Sequence, residues 1–196
     1  RYPRLSFEVN LLSSPNFEFP DLRHRKIDLM LAALPGPPVA DKKLGDDVSV
    51  EIVFEDRMFV VAGGQSSWAR RRKIELAELI DEPWHISPEG SVSRSFVDAV
   101  FAAKELPLPQ IKVASYSVPL QYSLCATGKF ITATSGLTLH FNGKQQGVKA
   151  LPIDLPIWPW PVAIVTLKNR TVSPIVNVFV EHVRAFFAQL RQRIDR

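Results

Sequence analysis

Residues 111–135, IKVASYSVPLQYSLCATGKFITATS, decide the fold class. Ile111-Lys112-Val113-Ala114 has strand composition. Ser117 then offers an oxygen to cap a helix, Pro119 sits in the first turn where its missing N–H costs nothing, and Gly128 stands past the end. Phe130-Ile131-Thr132-Ala133-Thr134 makes the next strand, and Ser135 can cap a short helix ending before Asn142-Gly143. Strand, capped helix and strand form the unit of α/β proteins with mainly parallel sheets, whose ligands sit at the carboxyl ends of strands.

The pattern repeats outward. Trp84-His85-Ile86 is a short strand, and a helix starting at Ser91 or Ser93 carries Phe96, Val97, Val100 and Phe101 on one face. Phe59-Val60-Val61-Ala62 is apolar throughout, as in a parallel strand covered on both sides, and ends at Gly63-Gly64. Further toward the start, Leu5, Phe7, Val9 and Leu11 alternate with polar residues at strand period. A turn at Ser13-Ser14-Pro15-Asn16, a short helix within 17–26 and a buried strand from Ile27 to Leu34 follow. Toward the end, Val162 to Leu167 is the last strand. The final helix has Ser173 as cap, Pro174 at its first position, and apolar residues every three or four positions from Ile175 to Leu190.

The 196 residues hold 46% hydrophobic and 22% charged side chains, enough to bury a core without staples. One cysteine, Cys125, forms no internal disulfide and points to a reducing compartment, the cytoplasm. A formal charge of +4 is too weak to argue for nucleic-acid binding, and the four cations Arg70-Arg71-Arg72-Lys73 read as a solvated turn. No apolar run approaches the ~20 residues a membrane span needs.

Catalytic motifs fail at named positions. Gly90-Ser91-Val92-Ser93-Arg94 lacks the last glycine of a nucleophile elbow, and Gly143-Lys144-Gln145 lacks the hydroxyl of a phosphate loop. No dinucleotide-binding Gly-x-Gly-x-x-Gly follows a strand, and His24, His85, His140 and His182 are scattered without metal-ligand spacing. The reading is of a protein that is not an enzyme and uses no metal or organic cofactor. His85, two residues before Ser87, is the one position from which a general base would overturn it.

Several signals recur in a fixed order. They are Tyr2-Pro3 before an alternating strand, Ile27-Asp28-Leu29, the passage Glu55 to Ala62, Ile74-Glu75-Leu76-Ala77-Glu78-Leu79 ahead of Pro83-Trp84-His85-Ile86, Ser115-Tyr116-Ser117, Gly128, and Ser173-Pro174. In this order the chain resembles the effector-binding domain of LysR-type transcriptional regulators. That resemblance implies two Rossmann-like lobes joined by two crossover strands, in the manner of type 2 periplasmic binding proteins, with a small-molecule cleft between them. Phe59–Ala62 and Val162–Leu167 would be the crossovers, with residues 1–62 and 163–196 in the first lobe and 63–162 in the second. It also implies a winged helix-turn-helix and the first strand and helix of the first lobe ahead of Tyr2, hence DNA contact only through that part. A homodimer, possibly a tetramer in the full-length protein, would pair Leu5–Leu11 with Arg94–Lys104 and Ile111–Ala114 of a partner. Phe130 and Thr134-Ser135 depart from the family's glycine and proline around that strand.

The expected ligand is a small anion, a carboxylate, held by hydroxyls and backbone N–H groups where strands hand over to helices. Ser91, Ser93, Ser115, Ser117 and Thr134 would supply one wall, and Ser13, Ser14 and Ala33 the other. A solute-binding protein serving a transporter and an enzyme on the same scaffold are the competing readings.

Overall fold

The structure is a computed structural model and describes residues 6–10, 18–34, 44–155, 159–170 and 172–194. Its framework is two sheets. The first has three strands in the order β1 (Met30–Ala33), β8 (Trp160–Leu167), β2 (Val48–Asp56). The second has five, in the order β5 (Ile111–Ala114), β4 (Trp84–Ile86), β6 (Ile131–Ser135), β3 (Met58–Gly63), β7 (Val148–Ala150).

The local signals are realised with little slippage, starting with the single turn α1 (Pro20–Arg23) inside the span expected to hold a short helix. Helix α2 (Val92–Ala103) is capped by Ser91, whose hydroxyl accepts from the Arg94 amide at 3.2 Å. Helix α3 (Val118–Ala126) is capped by Ser117 at 3.3 Å from the Leu120 amide, and Gly128 takes φ +77° beyond its end. The three-residue α4 (Gly136–Thr138) is capped by Ser135 and runs into a π turn, Leu139–Gly143. In α5 (Pro174–Ile194) the Ser173 hydroxyl accepts from the Val176 amide at 3.3 Å. Its buried stripe of Val176, Val180, Val183, Phe187 and Leu190 packs on Val53, Phe54 and Ile164 of the first sheet. Arg184 adds a two-pronged bond to Glu51 of β2, at 2.6 and 2.7 Å.

The second sheet has two unlike faces. Against α2 it is wholly apolar: Met58, Val60, Trp84, Ile86, Ile131 and Ala133 meet Phe96, Val97, Val100 and Phe101. Each fully buried side chain of this size contributes about 1.5–3 kcal/mol. Against α3 the layer is mixed. Gln121 donates to the Thr132 hydroxyl and to the Ala133 carbonyl, Tyr122 pairs with Thr134 at 3.3 Å, and Cys125 and Val61 fill the remainder. Gly63 is required here, because a Cβ on it would stand 2.1 Å from the Cys125 carbonyl oxygen.

Four expectations are corrected. Residues 6–10 form no strand and lie exposed, since alternation makes a strand only where a neighbouring edge offers a ladder. The strand expected at Ile27–Leu34 is shorter, Met30–Ala33, and half-buried because it lies at a sheet edge. The sheets are not mainly parallel: only β4 runs parallel to its neighbours, β5 and β6, while every other pair is antiparallel. Finally, Phe59–Ala62 and Val162–Leu167 do not themselves cross between sheets; each lies inside one of them. The chain passes from β2 to β3 at Arg57 and returns between Ala150 and Trp160. The Ser13-Ser14-Pro15-Asn16 turn lies outside the described residues.

Candidate functional site

The two serine turns follow neighbouring strands of the second sheet. β4 and β5 are parallel neighbours, Ile86 pairs with Ala114, and the Ser115 amide donates to the Ile86 carbonyl at 3.2 Å. Ser91 and Ser93 stand 3.5 Å apart at the start of α2, and the Ser115 hydroxyl accepts from the Ser117 amide at 3.0 Å. All four therefore sit at strand-to-helix junctions, with an oxygen lone pair of Ser91, Ser115 and Ser117 spent on local amides.

Ala33 is exposed at the end of β1, where the Leu34 amide bonds the Pro161 carbonyl at 2.7 Å. Ser13 and Ser14 lie outside the described residues. Thr134 turns away from the strand ends: it is 5% exposed, and its hydroxyl pairs with Tyr122 beneath α3. A one-residue difference decides this, because side chains alternate along β6 and Ser135, not Thr134, reaches the junction.

His85 is also turned inward. Trp84 and Ile86 face α2, so His85 faces α3, where the Trp84–Ile131 register sets it beside Thr132. It is fully buried, neither ring nitrogen has a partner among the described residues, and burial pushes its pKa below the ordinary histidine value. No group of histidines, cysteines or carboxylates among the described residues is arranged to hold a metal ion.

A cavity of about 250 Å³ lies where the two passages of the chain come together. Arg57 of the outgoing passage and Met58, Phe59 and Val60 at the start of β3 line one side, Ala150 at the end of β7 with Leu151, Ile153, Asp154 and Leu155 of the returning passage line another, and Phe96 of α2 a third. None of the serines is in its lining. A second hollow beside Asp28, Arg170 and Ser173 measures about 50 Å³ and has room for little beyond water. Sequence reading missed the larger cavity because its walls come from segments about ninety residues apart, each of which reads alone as an ordinary apolar run.

The passage itself is anchored by a buried carboxylate. Asp56 is 6% exposed and accepts from the Arg57 amide at 2.7 Å and from the Leu137 amide at 3.2 and 3.3 Å, while the Gly136 amide bonds the Arg57 carbonyl at 2.7 Å. Leu137 packs into the core beneath α5, so the segment following β6 grips the other sheet. Beside it, Phe141 stacks on Phe186 with ring centres 6.1 Å apart.

Two α/β sheets joined by two passages, with strand ends and a cavity beside the joints, have the architecture of type 2 periplasmic-binding-protein-like domains. The family model described as "LysR substrate binding domain" matches residues 1–188, and the chain belongs to that family. It is 27% identical over 194 residues to the transcriptional dual regulator GltC of Bacillus subtilis, an alignment that covers 97% of this chain and 61% of GltC. The chain thus spans about three-fifths of that relative's length. Among solved structures, the regulatory domain of Synechocystis PCC6803 CcmR in complex with 2-PG matches with a TM-score of 0.68 and 20% identity, covering 85% of this chain and 76% of that one. The effector-binding domain of QuiR in complex with shikimate matches with a TM-score of 0.66 and 20% identity, over 89% and 78%. At such identities these likenesses establish the fold.

Proposed function

We propose that this chain is the effector-sensing part of a bacterial transcription regulator, which binds a small carboxylate between its two sheets without turning it over. The observation that carries the reading is the cavity bounded by both passages between the sheets. A ligand seated there touches the segments about which one sheet moves relative to the other, and it favours whichever spacing it fits better. The hydroxyl protons of Ser91, Ser93, Ser115 and Ser117, with Ala33 opposite, supply further contacts as the strand ends approach. Thr134 is not among these contacts. The complete burial of His85 favours binding over general-base chemistry.

In this reading the protein works in the cytoplasm, pairs as a homodimer or as a tetramer when full length, and reaches DNA through a helix-turn-helix that precedes this segment. No helix among the described residues is long and apolar enough to cross a membrane. The test is a panel of metabolic carboxylates offered to the full-length regulator, read by thermal shift and by small-angle scattering. One or more should stabilise the protein and change its radius of gyration. Stabilisation without any change of shape or of DNA affinity would refute the sensor reading.

A further inference from the structure

The cavity carries two charges of opposite sign. Arg57 on the outgoing passage and Asp154 on the returning one are both exposed and both stand in the lining, while Met58, Val60, Phe96 and Leu151 make an apolar wall behind them. The Arg57 guanidinium has no ion-pair partner among the described residues, and its recorded bonds are all made by its backbone. Asp154 forms no ion pair at bonding distance among them, though its field helps hold the Lys73 ammonium charged.

A plain carboxylate would meet Arg57 favourably and Asp154 unfavourably, and a plain amine the reverse. A molecule bearing both charges on groups attached to one carbon, with an apolar body, leaves neither side chain opposed. The volume, about 250 Å³, lies just below the roughly 300–1,000 Å³ of pockets that take drug-sized ligands, which suits a single small metabolite. The geometry points to an apolar α-amino acid as the ligand, its carboxylate toward Arg57, its ammonium toward Asp154, and a branched or aromatic side chain against Met58, Val60 and Phe96. This deepens the effector reading above and rests on it.

Opposed charges on the two passages also explain why such a ligand would act on the hinge. It joins a group on one passage to a group on the other, so occupancy fixes their separation. A one-charge ligand engages one passage and leaves the other free.

The test measures binding to the full chain by calorimetry with four probes: L-leucine, L-phenylalanine, 4-methylpentanoate, which lacks the ammonium, and 3-methylbutylamine, which lacks the carboxylate. At least one amino acid should bind, and the two single-charge analogues should bind at least tenfold more weakly than leucine or not at all. Arg57→Gln and Asp154→Asn, both at exposed positions, should each weaken amino-acid binding at least tenfold while leaving the unfolding midpoint unchanged. If 4-methylpentanoate binds as well as leucine and Asp154→Asn has no effect, the amino-acid inference falls and the carboxylate-sensor reading stands. If no probe binds the wild-type chain at millimolar concentration, the inference falls. If Val60→Trp, which fills the cavity, then leaves the regulator's response to cell metabolites intact, the cavity's part in sensing falls with it.

Discussion

Replacing Asp56 by alanine removes the acceptor for two backbone amides at the point where the chain leaves the first sheet. The carboxylate accepts from Arg57 at 2.7 Å and from Leu137 at 3.2 and 3.3 Å, and it is 6% exposed. Hydrogen bonds to a charged acceptor contribute about 1.5–3 kcal/mol each, and a buried donor left alone bears a desolvation penalty. Some water reaches a site at this depth, so Asp56→Ala is expected to cost about 2–4 kcal/mol. For a domain of this length that lowers the melting temperature by roughly 5–15 °C. Asp56→Asn keeps one acceptor oxygen and should lose about half as much. Glu55→Ala is the control, because Glu55 is exposed and its loss should stay within about 0.5 kcal/mol. Hydrogen exchange supplies the local readout: in Asp56→Ala the Leu137 amide should lose protection well beyond the global change. An Asp56→Ala protein within 0.5 kcal/mol of wild type, with Leu137 still protected, would refute the anchoring role.

Three other outcomes follow from buried or paired groups. Burial pushes the Cys125 thiol up to about 12, so the native protein should not react with a thiol-specific chromogenic disulfide until denaturant is added; a rapid native reaction would contradict this. Burial also depresses the pKa of His85, so below the unfolded value of about 6.5 the unfolded chain binds the extra proton first. Its contribution is therefore fully present above that pH and is lost as pH falls toward the depressed folded value, and His85→Leu should flatten stability between pH 7.5 and 5.5 by urea titration. Parallel slopes in the two proteins would rule this out. Arg184→Ala breaks a half-exposed pair with Glu51, whose carboxyl Arg184 holds below its usual range, and should cost no more than ~1 kcal/mol, less at high salt. A larger, salt-independent loss would show that the pair is not the surface contact described.

What could be read in advance was local chemistry. Ser117, Pro119 and Gly128 delimit α3 because capping is decided within a few residues, and the same holds for Ser91 and Ser173. Strand direction was not local. β8 reads as any apolar strand, and its antiparallel pairing with β1 and β2 is imposed by how the chain returns between the sheets. Residues 6–10 show the converse, a strand pattern that pairs with no strand among the described residues. The serines at Ser91 and Ser115 do follow the neighbouring strands β4 and β5, Thr134 is turned beneath α3 by the parity of one strand, and the cavity could not be seen from either of its walls alone. Asp56 lay in plain view within Glu55–Ala62, but nothing in that passage shows that an amide eighty-one positions later will seek it.

The unlike faces of the second sheet bear on how each of its helices can travel. Apolar contacts such as those of Phe96, Val97 and Val100 set no preferred direction along the sheet, so α2 is located by the fit of its side chains alone. α3 has no such latitude. Gln121 and Tyr122 hold Thr132, Ala133 and Thr134 through directional bonds, and Gly63 seats the far end of the helix against the Cys125 carbonyl, so the helix is indexed to its strands like a key to its wards. The start of α3 is therefore tied to β6 by bonds that fix direction as well as distance, whereas α2 is tied to the same sheet by packing alone.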